Sequence, residues 1–240
     1  MRFDLHIHSC LSPCADLEMS PVAVARCARE AGLDGMALVD HNSGLNAPAW
    51  REACRQAGLG CLFGLEVSTR EEAHLLAIFD TPEAAAELTA RVYEALPARL
   101  NRPDIFGDQP VVNAHGEVER LETRLLGAPC GLSLPELRDA VHARDGLFIA
   151  AHVDRPVFSV FSQLGVLSGD EGFDACEISA HADAARWRER TGACPLVRSS
   201  DAHYLCDIGR AWCEADLSAW SVAELRTALR QGRIRLSPPA

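Results

Sequence analysis

Short apolar runs in this chain end, one after another, on residues that bind metal. Phe3–Ile7 contains His6 and leads to His8. Met36–Val39 runs into Asp40-His41, Cys61–Leu65 into Glu66, Leu147–Ala151 into His152, and Pro195–Ser199 into Asp201 and His203. A buried strand that closes on an imidazole or carboxylate needs a partner for that group, because an unpaired polar group in an apolar interior is costly. The pairs His6/His8 and Asp201/His203 are spaced i, i+2, which sets both side chains on one face of an extended backbone. The constraint is topological: these strand ends have to meet. In an α/β barrel the C-terminal strand ends open on one rim, whereas an open doubly wound sheet would gather only some of them.

The intervening segments supply the helices such a barrel needs. Ser20-Pro21 offers an N-cap and a proline at the first helical position for Val22–Ala31, and Gly32 ends it. Ala47–Ala57 is followed by Gly58, Thr81-Pro82 opens a helix reaching about Leu96, and Ser133-Leu134-Pro135-Glu136 starts another to Arg144. His74–Phe79 and Ala175–Ile178 read as further strands, and Ser221–Gln231 as a last helix. About seven strands alternating with helices imply a parallel sheet. Residues 97–133, with Pro97, Pro103, Pro110 and Pro129, are irregular, with a small hairpin around Val111–Val118. That stretch is too long for a plain barrel connection and covers the active site or extends the fold.

Composition narrows the function. With 240 residues, 48% hydrophobic and 24% charged, the chain suits one large domain with a packed core. A net charge of -11 argues against broad electrostatic binding to long duplex nucleic acid. The first residues lack the apolar region of a signal peptide, and no run of 18 apolar residues exists to span a membrane. The ten cysteines form no CxxC pair and lie mostly in apolar or helical segments, as expected of reduced thiols in a cytoplasmic protein. Cys10 and Cys14 stand apart because they flank the first histidine pair.

Nine residues form the candidate ligand set: His6, His8, Asp16, His41, Glu66, His74, His152, Asp201 and His203. Imidazoles and carboxylates aimed at one point suit zinc, manganese or iron. Neither i, i+2 pair argues for metal alone, but five strand ends together do. His74 also reads as a core histidine at a strand start, and Asp16 as a turn residue. His142 reads as a solvated helix position and His115 as a surface or lid residue. Glu177 and His181 follow a strand and read as supporting or substrate-side groups.

Asp4-Leu5-His6-Ile7-His8-Ser9, Leu38-Val39-Asp40-His41-Asn42, Gly64-Leu65-Glu66-Val67, Ala151-His152 and Ser200-Asp201-Ala202-His203 together resemble the signature motifs of the PHP (polymerase and histidinol phosphatase) family, over nearly the whole chain. The resemblance implies a distorted (β/α)7 TIM-like barrel, one domain over residues 1–240 with 97–133 as an insertion or lid. It also implies two or three divalent ions and hydrolysis of phosphate esters. Carried over residue by residue, the nine candidates match the ligand positions, and Glu66 is expected to bridge two metals. The middle region looks most like stand-alone bacterial members that cleave small nucleotides or short oligonucleotides.

The expected mechanism is attack on phosphorus by a hydroxide held between two metals about 3.5–4 Å apart, with Glu66, Asp201 and His203 as the catalytic ligands. A third metal, held by Asp16, His41 and His203, would take a non-bridging oxygen. Arg155 is the first candidate for a phosphate clamp, against a plain ion pair with Asp154; Arg198 and Arg210 stand behind it. Asp40 is expected to orient its neighbour or a ligand imidazole. Two other functions compete. An amidohydrolase-like barrel acting on C–N bonds usually bridges its metals with a carboxylated lysine, and this chain has no lysine. A non-catalytic PHP binding module would lack ligands, and all nine are present.

Overall fold

A computed structural model describes residues 1–239. The chain order is β1 (Arg2–Ile7), α1 (Pro21–Glu30), β2 (Gly35–His41), α2 (Ala47–Ala57), β3 (Gly60–Ser68), β4 (His74–Phe79) and α3 (Pro82–Ala95). Then come α4 (Pro103–Phe106), β5 (Pro110–Val112), β6 (Val118–Leu121), α5 (Leu134–His142), β7 (Leu147–Ala150), α6 (Val160–Leu164), β8 (Ala175–Ile178) and α7 (Ala184–Thr191). The chain closes with β9 (Leu196–Arg198), β10 (Cys213–Glu214), α8 (Val222–Arg230) and β11 (Arg235–Leu236).

The helices begin where the sequence places caps. Ser20, Thr81 and Ser133 accept from backbone N–H groups in the first turn, each followed by a proline at the start, and Ser133 with Glu136 forms a complete capping box. Gly58 ends α2 at φ +64, a conformation that costs glycine little. The helix α7 escapes the sequence reading because its AARWRERT segment buries only Trp187 and Thr191, too few for a periodic apolar stripe.

Nine strands form one sheet in the order β11-β10-β1-β2-β3-β4-β7-β8-β9, and β5-β6 form a separate hairpin in the insertion. A parallel bridge between Ile7 and Ala202, with His8 N donating to Ala202 O at 3.1 Å, returns the segment after β9 to β1 and nearly closes the barrel. The strands are buried on both faces, which is why they read as continuous apolar runs: along β2, Met36 and Leu38 join one core cluster and Ala37 and Val39 the other.

The sheet is not all parallel. β4 runs antiparallel to both β3 and β7, and β10 antiparallel to β1. The connection from Ser68 to His74 explains the first reversal: Thr69 N and Oγ1 both donate to Ala73 O, closing a short turn. Only antiparallel strands fit such a link, since a parallel crossover needs roughly a dozen residues or more. The consequence is functional. His74 opens its strand, and the reversal brings it to the rim where β3 and β7 end, opposite Ser68.

The insertion lies against that rim. Asn42, at φ +52, donates from Nδ2 to Leu126 O at 2.7 Å and Ala128 O at 2.8 Å, and accepts from Ser68 N. Ile105, Phe106, Leu125 and Gly127 thereby line the cavity over the strand ends.

Candidate metal centre

Glu66, on β3, is 1% exposed and sits among five imidazoles. Its Oε1 lies 2.8 Å from His74 Nδ1 and 3.0 Å from His152 Nε2. Its Oε2 lies 2.9 Å from His41 Nδ1, 3.4 Å from His8 Nε2 and 3.6 Å from His6 Nε2, yet none of these contacts has hydrogen-bond geometry. Asp201 approaches from the β9 side, with Oδ1 at 3.1 Å from His8 Nε2 and 3.2 Å from His6 Nε2. Two of these groups, His152 at φ +29 and Asp201 at φ +51, hold backbone conformations that non-glycine residues seldom adopt, a strain that collects at functional sites.

Deeper residues fix the rings. His6 Nδ1 faces the buried Glu177 carboxylate at 3.0 Å, which leaves Nε2 toward the centre. His8 Nδ1 faces Ser12 Oγ at 2.9 Å, and that hydroxyl donates to Asp40 Oδ1 at 2.7 Å, so Asp40 orients His8 through a serine. His203 Nδ1 faces its neighbour's Asp201 O at 2.8 Å. Asp4 accepts from His6 N and Ser200 Oγ, tying the first and last motifs together. Such partners set the tautomer and direction of a ligand imidazole. Sequence reasoning left Asp4 and Ser12 unassigned; the alternation of Asp4 with His6 along β1 is the signal that pointed to Asp4.

The charge states of the two carboxylates suit cation binding. Burial would push the Glu66 carboxyl up, but His74, His41 and His6 outweigh it and hold it well below the usual carboxylate range. Asp201 is likewise held far down, against burial, by His6 and His8. Burial keeps the imidazoles of His8 and His74 below their ordinary value. His6 and His41 go the other way: burial opposes their charge, but the carboxylates Glu177 and Asp201 around His6 and Glu66 beside His41 prevail. Ionised carboxylates and neutral imidazoles are the forms that bind metal, and a cation would replace the protons the carboxylates otherwise attract. With Glu66 Oε2 and His152 Nδ1 both buried and unpartnered, the donor set fits divalent ions. Among the described residues, three clusters have donor atoms close enough to share an ion: His6/His8/Asp201, His41/Glu66/His74 and His8/His41/His203.

Eight of the nine expected residues thus converge. Asp16 does not join them; its Oδ1 accepts from Glu18 N at 2.8 Å in a turn, while its own N–H donates to His203 O. The sulfur of Cys14 stands in that part of the site instead, 3.2 Å from His41 Nε2 and 3.1 Å from His203 Nε2. Burial raises its thiol, but the two imidazoles outweigh that and bring it down to about 6.

The arginines separate. Arg155 pairs with Asp201 Oδ2 at 2.5 Å and lines the cavity; Asp154 accepts from Ser179 instead. Arg198 is buried and donates inward to Ala180 O and Ala182 O, bracing the loop before α7. Arg210 pairs with Asp207 at 2.6 Å and does not line the cavity. His115 is exposed in the β5–β6 turn, and His142 faces Asp174 at 3.6 Å.

The cavity over the centre measures about 590 Å³, and Phe158 stacks on His74 in its wall at 4.9 Å. A larger cavity, about 730 Å³ beside His142 and Arg226, shares no residue with it, and its Asp174 carboxylate is already bonded to Arg226 and to Phe148 N.

A PHP domain profile matches residues 4–127, and a PHP-associated profile matches residues 179–234. No curated protein matches the chain at a significant level. Among solved structures, endonuclease Q in complex with a 27-mer duplex carrying an abasic lesion superposes with a TM-score of 0.71 at 20% identity, covering 96% of this chain and 56% of that one. The lesion-specific endonuclease from Pyrococcus furiosus gives 0.69 at 21% identity, covering 98% and 58%. A candidate metal-dependent phosphoesterase from Bifidobacterium adolescentis gives 0.59 at 18% identity, covering 84% and 87%. At these identities the likeness is one of fold, and the chain spans little more than half the length of the two endonuclease chains. With a profile match over more than half its length and a barrel that gathers the family's motifs on one rim, the chain belongs to the PHP domain family.

Proposed function

We propose that the protein is a metal-dependent phosphoesterase acting on a small phosphorylated metabolite, a nucleotide or a short oligonucleotide. The observation that carries this reading is the single Glu66 carboxylate, whose two oxygens face different imidazoles. His6, His8, Glu66 and Asp201 would hold one divalent ion, and Glu66, His74 and His152 a second. His41 and His203 are the imidazoles available to a third. Bound there, the ions would supply an activated water and offset charge on the phosphoryl group. Zinc, manganese and iron all suit this mixed nitrogen and oxygen set.

The chain's own residues do the rest. Glu177 and Asp40 keep the ring nitrogens aimed inward. Arg155, already at the cavity edge on Asp201, turns its planar fork to a non-bridging phosphate oxygen. The insertion residues Ile105, Phe106 and Leu125 shield the reacting atoms from bulk water.

Arg155 also lines a second cavity of about 600 Å³. Arg186 and Arg190 line it, and Arg190 lies over the rings of Phe161 and Trp187, 4.6 Å from each centroid. Cations beside aromatic faces suit a substrate that continues past the cleaved phosphate with further phosphate or base. This favours a bis-phosphorylated nucleotide or short oligonucleotide over a bare monophosphate, while the net charge of -11 disfavours long duplex.

The test is a substrate panel with each metal added in turn: nucleoside monophosphates, histidinol phosphate, bis-phosphorylated nucleotides, short oligonucleotides, and amide or lactone substrates for comparison. Metal-dependent cleavage of phosphoesters, abolished in Glu66→Ala and Asp201→Ala, supports the reading. Turnover of amides alone, or unchanged phosphoester turnover in both variants, rejects it.

A further inference from the structure

We propose that Cys14 is a metal ligand: its thiolate, with His41 and His203, forms a sulfur-containing site for a third divalent ion, in the place a carboxylate such as Asp16 would otherwise fill. This deepens the phosphoesterase reading and rests on it.

The geometry points to sulfur. His41 Nε2, from the end of β2, and His203 Nε2, from the segment after β9, converge on Cys14 Sγ at 3.2 and 3.1 Å. His203 Nδ1 faces the Asp201 carbonyl, which only accepts, so Nε2 is the ring nitrogen turned toward the sulfur. His41 Nδ1 stands 2.9 Å from Glu66 Oε2, so Nε2 is the ring nitrogen turned toward the sulfur. Two imidazole nitrogens from distant parts of the chain therefore converge on one sulfur. A divalent cation satisfies both nitrogens and the sulfur at once, and the thiol proton leaves to solvent as the metal–sulfur bond forms.

The loop explains why sulfur and not Asp16 occupies this position. Asp16 N–H is bonded to His203 O, and its carboxylate closes a turn on Glu18 N, so both its backbone and its side chain are committed away from the centre. Cys14 precedes that turn, lines the cavity with Pro13, and is exposed, which leaves the site open to ion exchange. A thiolate makes the third site softer than the other two. It favours zinc, iron(II) or cobalt(II) over manganese or magnesium there, while the carboxylate-bridged pair remains permissive.

The test uses the full chain, stripped of metal by chelation and titrated with cobalt(II) under reducing conditions. Metal content by mass spectrometry is followed together with the near-ultraviolet thiolate-to-cobalt charge-transfer band. The wild type should develop this band. Cys14→Ser should lose it together with one equivalent of cobalt, and Asp16→Ala should keep both. Cys14→Asp should regain the equivalent without the band and shift the third site toward manganese. A wild type that binds cobalt without the band, a band that persists in Cys14→Ser, or a band abolished by Asp16→Ala overturns the inference. If cobalt still binds in those cases, the phosphoesterase reading stands; a protein that binds no cobalt at all sinks both. Circular dichroism of each variant separates loss of the ligand from loss of the fold.

Discussion

The Nδ1 of His6 faces the buried carboxylate of Glu177, 3.0 Å from Oε1 and 3.1 Å from Oε2, across 171 residues of sequence. The same Oε1 accepts from His152 N at 3.0 Å, so one acid positions two of the rim histidines. Glu177→Gln keeps the shape but weakens the acceptor. It is expected to lower metal affinity about 10–100-fold, the usual cost of losing a group that orients a ligand imidazole. Chelator competition on folded protein measures this; an unchanged affinity would show that Glu177 only fills space.

Glu66→Ala and Asp201→Ala remove the carboxylates between the imidazoles. Each is expected to lower phosphoester turnover by roughly 10²–10³-fold or more, the scale of losing charge stabilisation in an active site. Steady-state rates at saturating metal give the comparison. Residual activity near wild type in either variant would contradict the role assigned to it.

The three arginines should behave differently. Arg155→Ala is expected to raise KM about tenfold or more through the loss of a charge-assisted bond to phosphate, with Arg155→Lys recovering part of it. Arg198→Ala should instead cost about 2–4 kcal/mol of stability, because two carbonyls lose their donor. Arg210→Ala should alter neither. Kinetics and thermal melts on the three variants separate these outcomes.

Cys14 gives a pH signature in metal-free protein. Its thiol, ordinarily near 9, titrates at about 6 once the imidazoles of His203 and His41 outweigh burial. In a Cys206→Ser background, alkylation of Cys14 should be near its plateau at neutral pH and fall about tenfold per unit below the midpoint. A lowered acid value also contributes stability that is complete above the ordinary thiol range and is lost as pH falls through about 6. Peptide mapping after timed alkylation checks the profile, and bound zinc should protect the residue.

Asn42 staples the insertion to the rim through Leu126 O and Ala128 O. Asn42→Ala should cost about 1–3 kcal/mol, the price of stranding buried carbonyls, and should raise hydrogen exchange across residues 97–133 more than across β1–β4. Exchange that rises evenly over the chain would mean a global effect instead.

Much of the site was legible because its signals are local. An apolar run closing on a ligand-type residue, a serine or threonine before a proline, and an i, i+2 pair each show within ten residues, and the side chains of His6, His8, His41, Glu66, His152, Asp201 and His203 lie near one another at the rim. The expectation of a parallel sheet fails at β4, where a short turn left no room for a crossover. That failure is what brings His74 to the rim, a result no strand-end rule could yield.

The residues alone thus determined which strand ends carry donors and where the helices start, because propensity, capping and alternation act between near neighbours. Tertiary structure alone decided which donors meet. The direction of β4, the inward turn of Arg198, the reach of Glu177 to His6, and the approach of Cys14 rather than Asp16 to His41 and His203 depend on sheet register and loop closure. Those bring together atoms up to nearly 200 positions apart, as in the 189 residues between Cys14 and His203, and no short-range pattern encodes that.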